Sequence, residues 1–170
     1  MSDRETKRAQ FEGAKKKSWL PLLVIGVFLL AGIGLLTWKF SASGGTKYPA
    51  VRVIDGQAAI PLQQVDDGRA HFFSYKNGET SIDFFVLKSR DGVMRAAFDA
   101  CDVCYRDKQG YRQEGDEMVC VNCGQRFHSN LINEVKGGCN PAPLERRESD
   151  GRLLIREADL LQGARYFEGI

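Results

Sequence analysis

Five cysteines fall within 39 residues of this 170-residue chain: Cys101-x2-Cys104, 15 residues, Cys120-x2-Cys123, then 15 more before Cys139. Two residues between thiols allow a turn tight enough to present both sulfurs to one ion, and a hairpin that brings two such turns together supplies four ligands. Cys101, Cys104, Cys120 and Cys123 are therefore expected to form one four-thiolate metal site. Thiolate softness suits zinc, copper or iron there. Cys139, in Gly137-Gly138-Cys139-Asn140-Pro141, is a candidate fifth ligand, a replacement ligand or a thiol packed over the site. Disulfides are the competing use of these residues in an oxidising compartment, but the count is odd. A redox dithiol is the enzymatic rival, although no alternation of strands and helices surrounds the cysteines as it does in thioredoxin-like sites.

His71 and His128 are the only histidines. His71 precedes Phe72 and Phe73 in an expected strand and reads as a surface or hydrogen-bonded side chain. His128, five residues past Cys123, is a further candidate ligand for which the surface reading is preferred. No Walker loop, G-x-S-x-G or HExxH is present, so no catalytic residue is assigned.

The elements that must position the thiols are β-strands. Asp55-Gly56, Asp67-Gly68, Asn77-Gly78, Asp91-Gly92 and Asp150-Gly151 are turn signals of the kind that tight hairpins need. Strands are expected over 70–75, 81–87 and 93–98 as an antiparallel meander, and a second hairpin over 111–113 and 118–120 would return the second CxxC beside the first. Gly124 relieves crowding just after it. A closing strand is expected over 152–155 and a short helix or extension over 157–166, with Leu160 and Leu161 facing inward. Phe72, Phe73, Tyr75, Phe84, Phe85 and Phe98 read as core, because one face of each strand in a small β domain must be apolar. The fold class is mainly β: a small antiparallel domain with a metal site at its hairpin tips, as in a zinc-ribbon-like fold, behind one N-terminal transmembrane helix.

That helix is expected over Trp19 to Trp38, 20 residues without a charge, about 30 Å long as an α-helix and so matched to a bilayer core. The tryptophans lie where membrane interfaces favour them, and Lys15, Lys16 and Lys17 precede the span, which places the N-terminus in the cytoplasm. A cleavable signal peptide cut near Ser41, Ala42 and Ser43 is the alternative. Four regions follow: a basic cytoplasmic tail (1–18), the span (19–38), a flexible linker (39–47) and an extracytoplasmic β-rich metal-binding domain (48–170). The tail carries six Lys/Arg against three acids, a charge of +3 out of a net +2, so the rest of the chain is −1. No basic stripe remains to bind nucleic acid, and the expected partners are the bilayer and a membrane protein.

The stretches AAFDACDVCY (96–105), GYRQEGDEMVCVNCGQRF (110–127) and GGCNPAPL (137–144) resemble the FtrD-like family of membrane iron-sulfur proteins over roughly 60–144. The resemblance implies a bacterial inner-membrane protein associated with iron or other metal uptake, with an iron-sulfur centre on the cysteines and an uptake permease or redox protein as partner. A more distant resemblance is to Rieske domains. Their paired ligand motifs, following Gly and Phe (here Gly124 and Phe127), later prolines (Pro141 and Pro143) and closing strand run in the same order, but both ligand histidines are replaced by cysteine and the first pair has one extra residue. That resemblance implies a [2Fe-2S] cluster of low potential, since thiolates add negative charge where imidazoles add none. Iron-sulfur electron transfer is thus the leading expectation. A non-redox zinc or metal-delivery module and a thiol-disulfide reductase are the alternatives. Export of a folded cluster protein would need a twin-arginine signal, of which Thr6-Lys7-Arg8 is a faint variant. A chain crossing unfolded would be loaded outside, which favours zinc, copper or captured iron.

Overall fold

The computed structural model describes residues 46–169. The basic tail, the apolar span and the linker up to residue 45 lie outside the described residues. Among the described residues no helix is long and apolar enough to cross a membrane. The architecture of the described residues is mainly β and antiparallel, in three sheets.

The central sheet is the expected meander: β3 (His71–Asn77), β4 (Thr80–Lys88) and β5 (Met94–Phe98), in that order. Phe73 opposes Phe84, and Phe84 opposes Phe98, which are cross-strand aromatic pairs of the kind that stabilise a sheet. A second sheet joins β1 (Val53–Ile54), β2 (Gln57–Pro61), β10 (Arg152–Arg156) and β9 (Arg147–Ser149). Its two tight turns, Asp55-Gly56 and Asp150-Gly151, have positive φ at both residues, the backbone that matches strand twist in a two-residue hairpin. The third sheet is β6 (Tyr111–Glu114), β7 (Glu117–Cys120) and β8 (Arg126–His128). A short helix, α1 (Glu157–Gln162), and a 3-10 turn (Ala164–Tyr166) close the chain.

Strand β4 lies between two cores, so it has no solvent face. Ile82, Phe84 and Val86 enter a larger core with Ala58, Ile60, Leu153 and Ile155 of the second sheet. Phe85 and Leu87, pointing the other way, enter a smaller core with Tyr111, Met118, Cys101 and Cys120. Alternation of side chains across a strand makes this division automatic. The expectation of an apolar face on each strand holds, and β4 goes beyond it, since both of its sides are buried. The aromatics are core residues as expected: Tyr75, Phe84, Phe85 and Phe98 are buried and Phe72 and Phe73 pack against the two cores.

Two smaller expectations are also corrected. Leu160 is fully buried, but Leu161 is 38% exposed, since neighbours on a helix diverge by about 100° and only one of them can face the core. Asp67-Gly68 lies in the bend before β3 and joins no hairpin. There Asp67 Oδ1 accepts from Arg69 N (2.9 Å) and pairs with His71 Nε2 (2.8 Å).

Candidate metal centre

Each CxxC follows the end of a strand, and backbone geometry turns it into a knuckle. After β5, Cys104 N donates to Cys101 Sγ at 3.1 Å, and a 3-10 turn over Tyr105–Asp107 ends at Lys108, which takes a left-handed φ of 51°. At the end of β7, Cys120 N donates to Gln125 O and Gly124 N to Cys120 O, both at 2.9 Å. Gly124 has φ +73° and open space around its Cβ position. Its role is backbone conformation, which corrects the expectation that it relieves crowding. Backbone N–H groups of Asn122 and Cys123 also point at the Cys120 sulfur, and that of Gln125 at the Cys123 sulfur. Such donors favour a thiolate over a thiol.

The knuckles are tied together. Val121 N donates to Gly110 O (2.9 Å), and Asn122 Nδ2, from inside the second CxxC, donates to Asp107 Oδ2 (2.7 Å) beside the first. A third strap brings in Cys139. Asn133, with φ +72°, hydrogen-bonds Ala96 of β5 through both side-chain atoms: Ala96 N donates to Oδ1 (3.2 Å) and Nδ2 donates to Ala96 O (2.7 Å). The buried Arg95 guanidinium donates to Ile132 O (3.1 Å) and pairs with Asp91 and Glu134. Further along, Phe98 N donates to Ala142 O and Ala142 N to Ala100 O. The hydroxyl of Tyr111 donates to Cys139 O at 2.7 Å.

All five cysteines are free thiols and gather at one place. The ligand atoms of Cys101, Cys104 and Cys120 lie within 4.8 Å of one another, and so do those of Cys104, Cys123 and Cys139. Cys104 Sγ and Cys139 Sγ are 3.8 Å apart. The two sets share Cys104, and Cys139 is added to the four residues of the two CxxC motifs. His128 belongs to neither set. It sits opposite Glu117, at the far end of β7 from Cys120, and its Nδ1 accepts from Asn130 N at 3.3 Å. Cys101 and Cys120 are buried whereas Cys123 is exposed, so the array has an inner and an outer side.

Electrostatics follow that division. Burial pushes the Cys120 thiol up to about 12, and burial together with neighbouring Cys123 and Cys104 does the same for Cys139. The Gln125 N–H holds Cys123 below the usual thiol range. Burial also raises the Tyr111 pKa, helped by Cys101. A cation would reverse the balance for the raised thiols, because coordination requires the thiolate.

Beside the inner thiols lies a cavity of about 500 Å³, lined by Cys101, Cys104, Cys120, Lys47, Asp99 and Tyr166 among others. Asp99, two residues before Cys101, is buried and fully engaged: Oδ1 accepts from Tyr111 N (2.7 Å) and Oδ2 from Lys47 Nζ and Tyr48 OH (2.9 Å each). Burial raises the Asp99 pKa against the pull of Lys47. For Lys47 the burial penalty is outweighed by hydrogen bonds to Tyr48 and Asp99, leaving its pKa raised. Arg95, Asp99, Tyr111, Asn122 and Asn133 escaped the sequence reading. Asp99 and Tyr111 flank the cysteine motifs, but a buried acid and a buried hydroxyl are recognised only by their surroundings.

Residues 65–167 match the family model described as "Membrane iron-sulfur containing protein FtrD-like". No curated protein and no solved structure matches the chain. The family match takes in more than half of the sequence, and the chain belongs to this family.

Proposed function

We propose that this member of the FtrD-like membrane iron-sulfur family is a single-pass protein of the bacterial inner membrane whose extracytoplasmic β domain carries electrons for a metal-uptake system. The bilayer and an uptake permease or redox protein are its partners. The observation that carries the reading is the convergence of all five thiols from three separate segments of the chain, with backbone N–H groups aimed at the sulfurs of Cys101, Cys120 and Cys123. That donor set fits an iron-sulfur centre. Thiolates are the usual protein ligands of such clusters, and N–H donors to sulfur are among the means by which a protein tunes them. When bound, the cluster supplies one-electron chemistry. The protein's own residues hold the ligands, screen them with the apolar side chains of the smaller core, and leave Cys123 exposed at the surface, where a partner can approach. Electron transfer of this kind needs no general acid or base.

Protein purified in its membrane-extracted, metal-loaded form tests this. A visible chromophore that bleaches on reduction, with iron in the metal analysis, is the expected result. If the cluster is of the [2Fe-2S] type, its potential should lie below about −150 mV, the lower end of the His-ligated Rieske range, because thiolates replace the neutral imidazoles. A colourless protein containing zinc replaces this reading with a structural or metal-delivery module. The exposed Cys123, with its lowered pKa, is the one observation favouring thiol-disulfide exchange. Absence of insulin-reducing activity in the metal-free, reduced protein disposes of that alternative.

A further inference from the structure

Resting on the reading of the thiols as a metal centre, we propose that the centre holds two metal ions, with the Cys104 sulfur shared between them, Cys101 and Cys120 completing the inner ion and Cys123 and Cys139 the outer one.

One tetrahedral ion has four corners, and here five sulfurs converge. They fall into two sets of three whose ligand atoms lie within 4.8 Å of one another, and Cys104 is the member common to both. Two tetrahedra joined at a corner produce that pattern. At a metal–sulfur distance of about 2.3 Å, neighbouring sulfurs around one tetrahedral ion are about 3.8 Å apart. Cys104 and Cys139 stand at 3.8 Å. The division cuts across the sequence motifs: Cys120 faces the inner ion and Cys123 the outer one, so the second CxxC straddles both. This accounts for a CxxC with one buried and one exposed sulfur.

Charge points the same way. Five thiolates with two divalent ions leave about −1, whereas one divalent ion on four thiolates leaves about −2 and strands the fifth sulfur as a thiol among anions. Cys139 is too firmly held for a bystander. Its carbonyl accepts from Tyr111 at 2.7 Å, and the loop that bears it is fixed to β5 by Asn133 and Arg95. Three protein sulfurs per ion leave a coordination position for an outside donor, the arrangement of exchangeable rather than closed structural sites.

Cobalt titration of the full chain in detergent, stripped of metal and kept reduced under anaerobic conditions, tests the proposal. Bound cobalt is counted by metal analysis after gel filtration and by thiolate-to-cobalt absorption. The wild type should saturate near two equivalents and Cys139→Ser near one, with the inner set intact. Cys101→Ser should likewise retain about one, on the outer set, and Cys104→Ser should weaken both ions together. Saturation of the wild type at one equivalent, unchanged in Cys139→Ser, overturns the two-ion centre in favour of one ion on the CxxC residues, and leaves the proposed function standing. No cobalt bound at all also overturns the two-ion centre, while the proposed function still stands or falls on the chromophore and iron of the loaded protein. Circular dichroism checks that each variant folds. If Cys104→Ser does not, the comparison of wild type with Cys139→Ser decides.

Discussion

Asp99 and Gly110 form a matched pair, and the match can be tested atom by atom. A Cβ at Gly110 would stand 2.3 Å from both carboxylate oxygens of Asp99, and Gly110 also has φ +69°. Gly115 has a similar φ of +61° with nothing near its Cβ position. Gly115→Ala should therefore show the backbone cost alone, about 1 kcal/mol. Gly110→Ala should cost about 2–3 kcal/mol, because it also displaces the carboxylate that anchors Tyr111 N, Lys47 and Tyr48. Chemical denaturation of the two variants measures the difference, and equal losses would mean that Asp99 yields without consequence. The five cysteines were legible from spacing alone, since metal ligation imposes a distance along the chain. Asp99 was not, since nothing in the order of residues distinguishes a buried acid from a solvated one until Lys47, 52 positions earlier in the chain, is seen beside it.

Among the elements, the meander and the CxxC hairpin were readable because turn residues and β-branched or aromatic runs alternate there. The edge strands β1, β8 and β9, of two to three residues each, are too short to show a period. The loop carrying Cys139 was opaque for a different reason. It owes its place to side chains that imitate a strand, and Asn133 does so with both polar atoms on Ala96. Replacing it by alanine removes two hydrogen bonds of about 0.5–1.5 kcal/mol each and leaves a non-glycine residue at positive φ. Asn133→Ala should lose about 2–4 kcal/mol of stability, and Cys139 should react faster with an alkylating reagent in the metal-free protein. An unchanged alkylation rate would show that Tyr111 and the Pro141–Leu144 segment hold the loop unaided.

At the scale of the whole molecule, long-range ties join the start, middle and end of the described chain. Tyr75 of β3 donates to Glu157 of α1, and that hydrogen bond, with burial, pushes the tyrosine up to about 12. The folded protein thus keeps a proton that the unfolded chain releases near pH 10, so this tyrosine's contribution to stability falls as pH rises from about 10 to about 12. Tyr75→Phe should flatten that part of an alkaline denaturation profile. A slope identical to the wild type would assign the effect to other groups. The sheet order could not be read from the sequence, because β10 lies beside β2 through contacts that span most of the domain. Strand β4, with a core on each side, exposes the molecule to one kind of genetic accident in particular. Insertion or loss of a single codon within it would exchange the contents of its two faces, turning the Asp83 carboxylate toward the oily interior and Phe84 toward the sulfurs. A substitution along β4 disturbs one face at a time, but a change in its length would damage the hydrophobic centre and the cysteine pocket together.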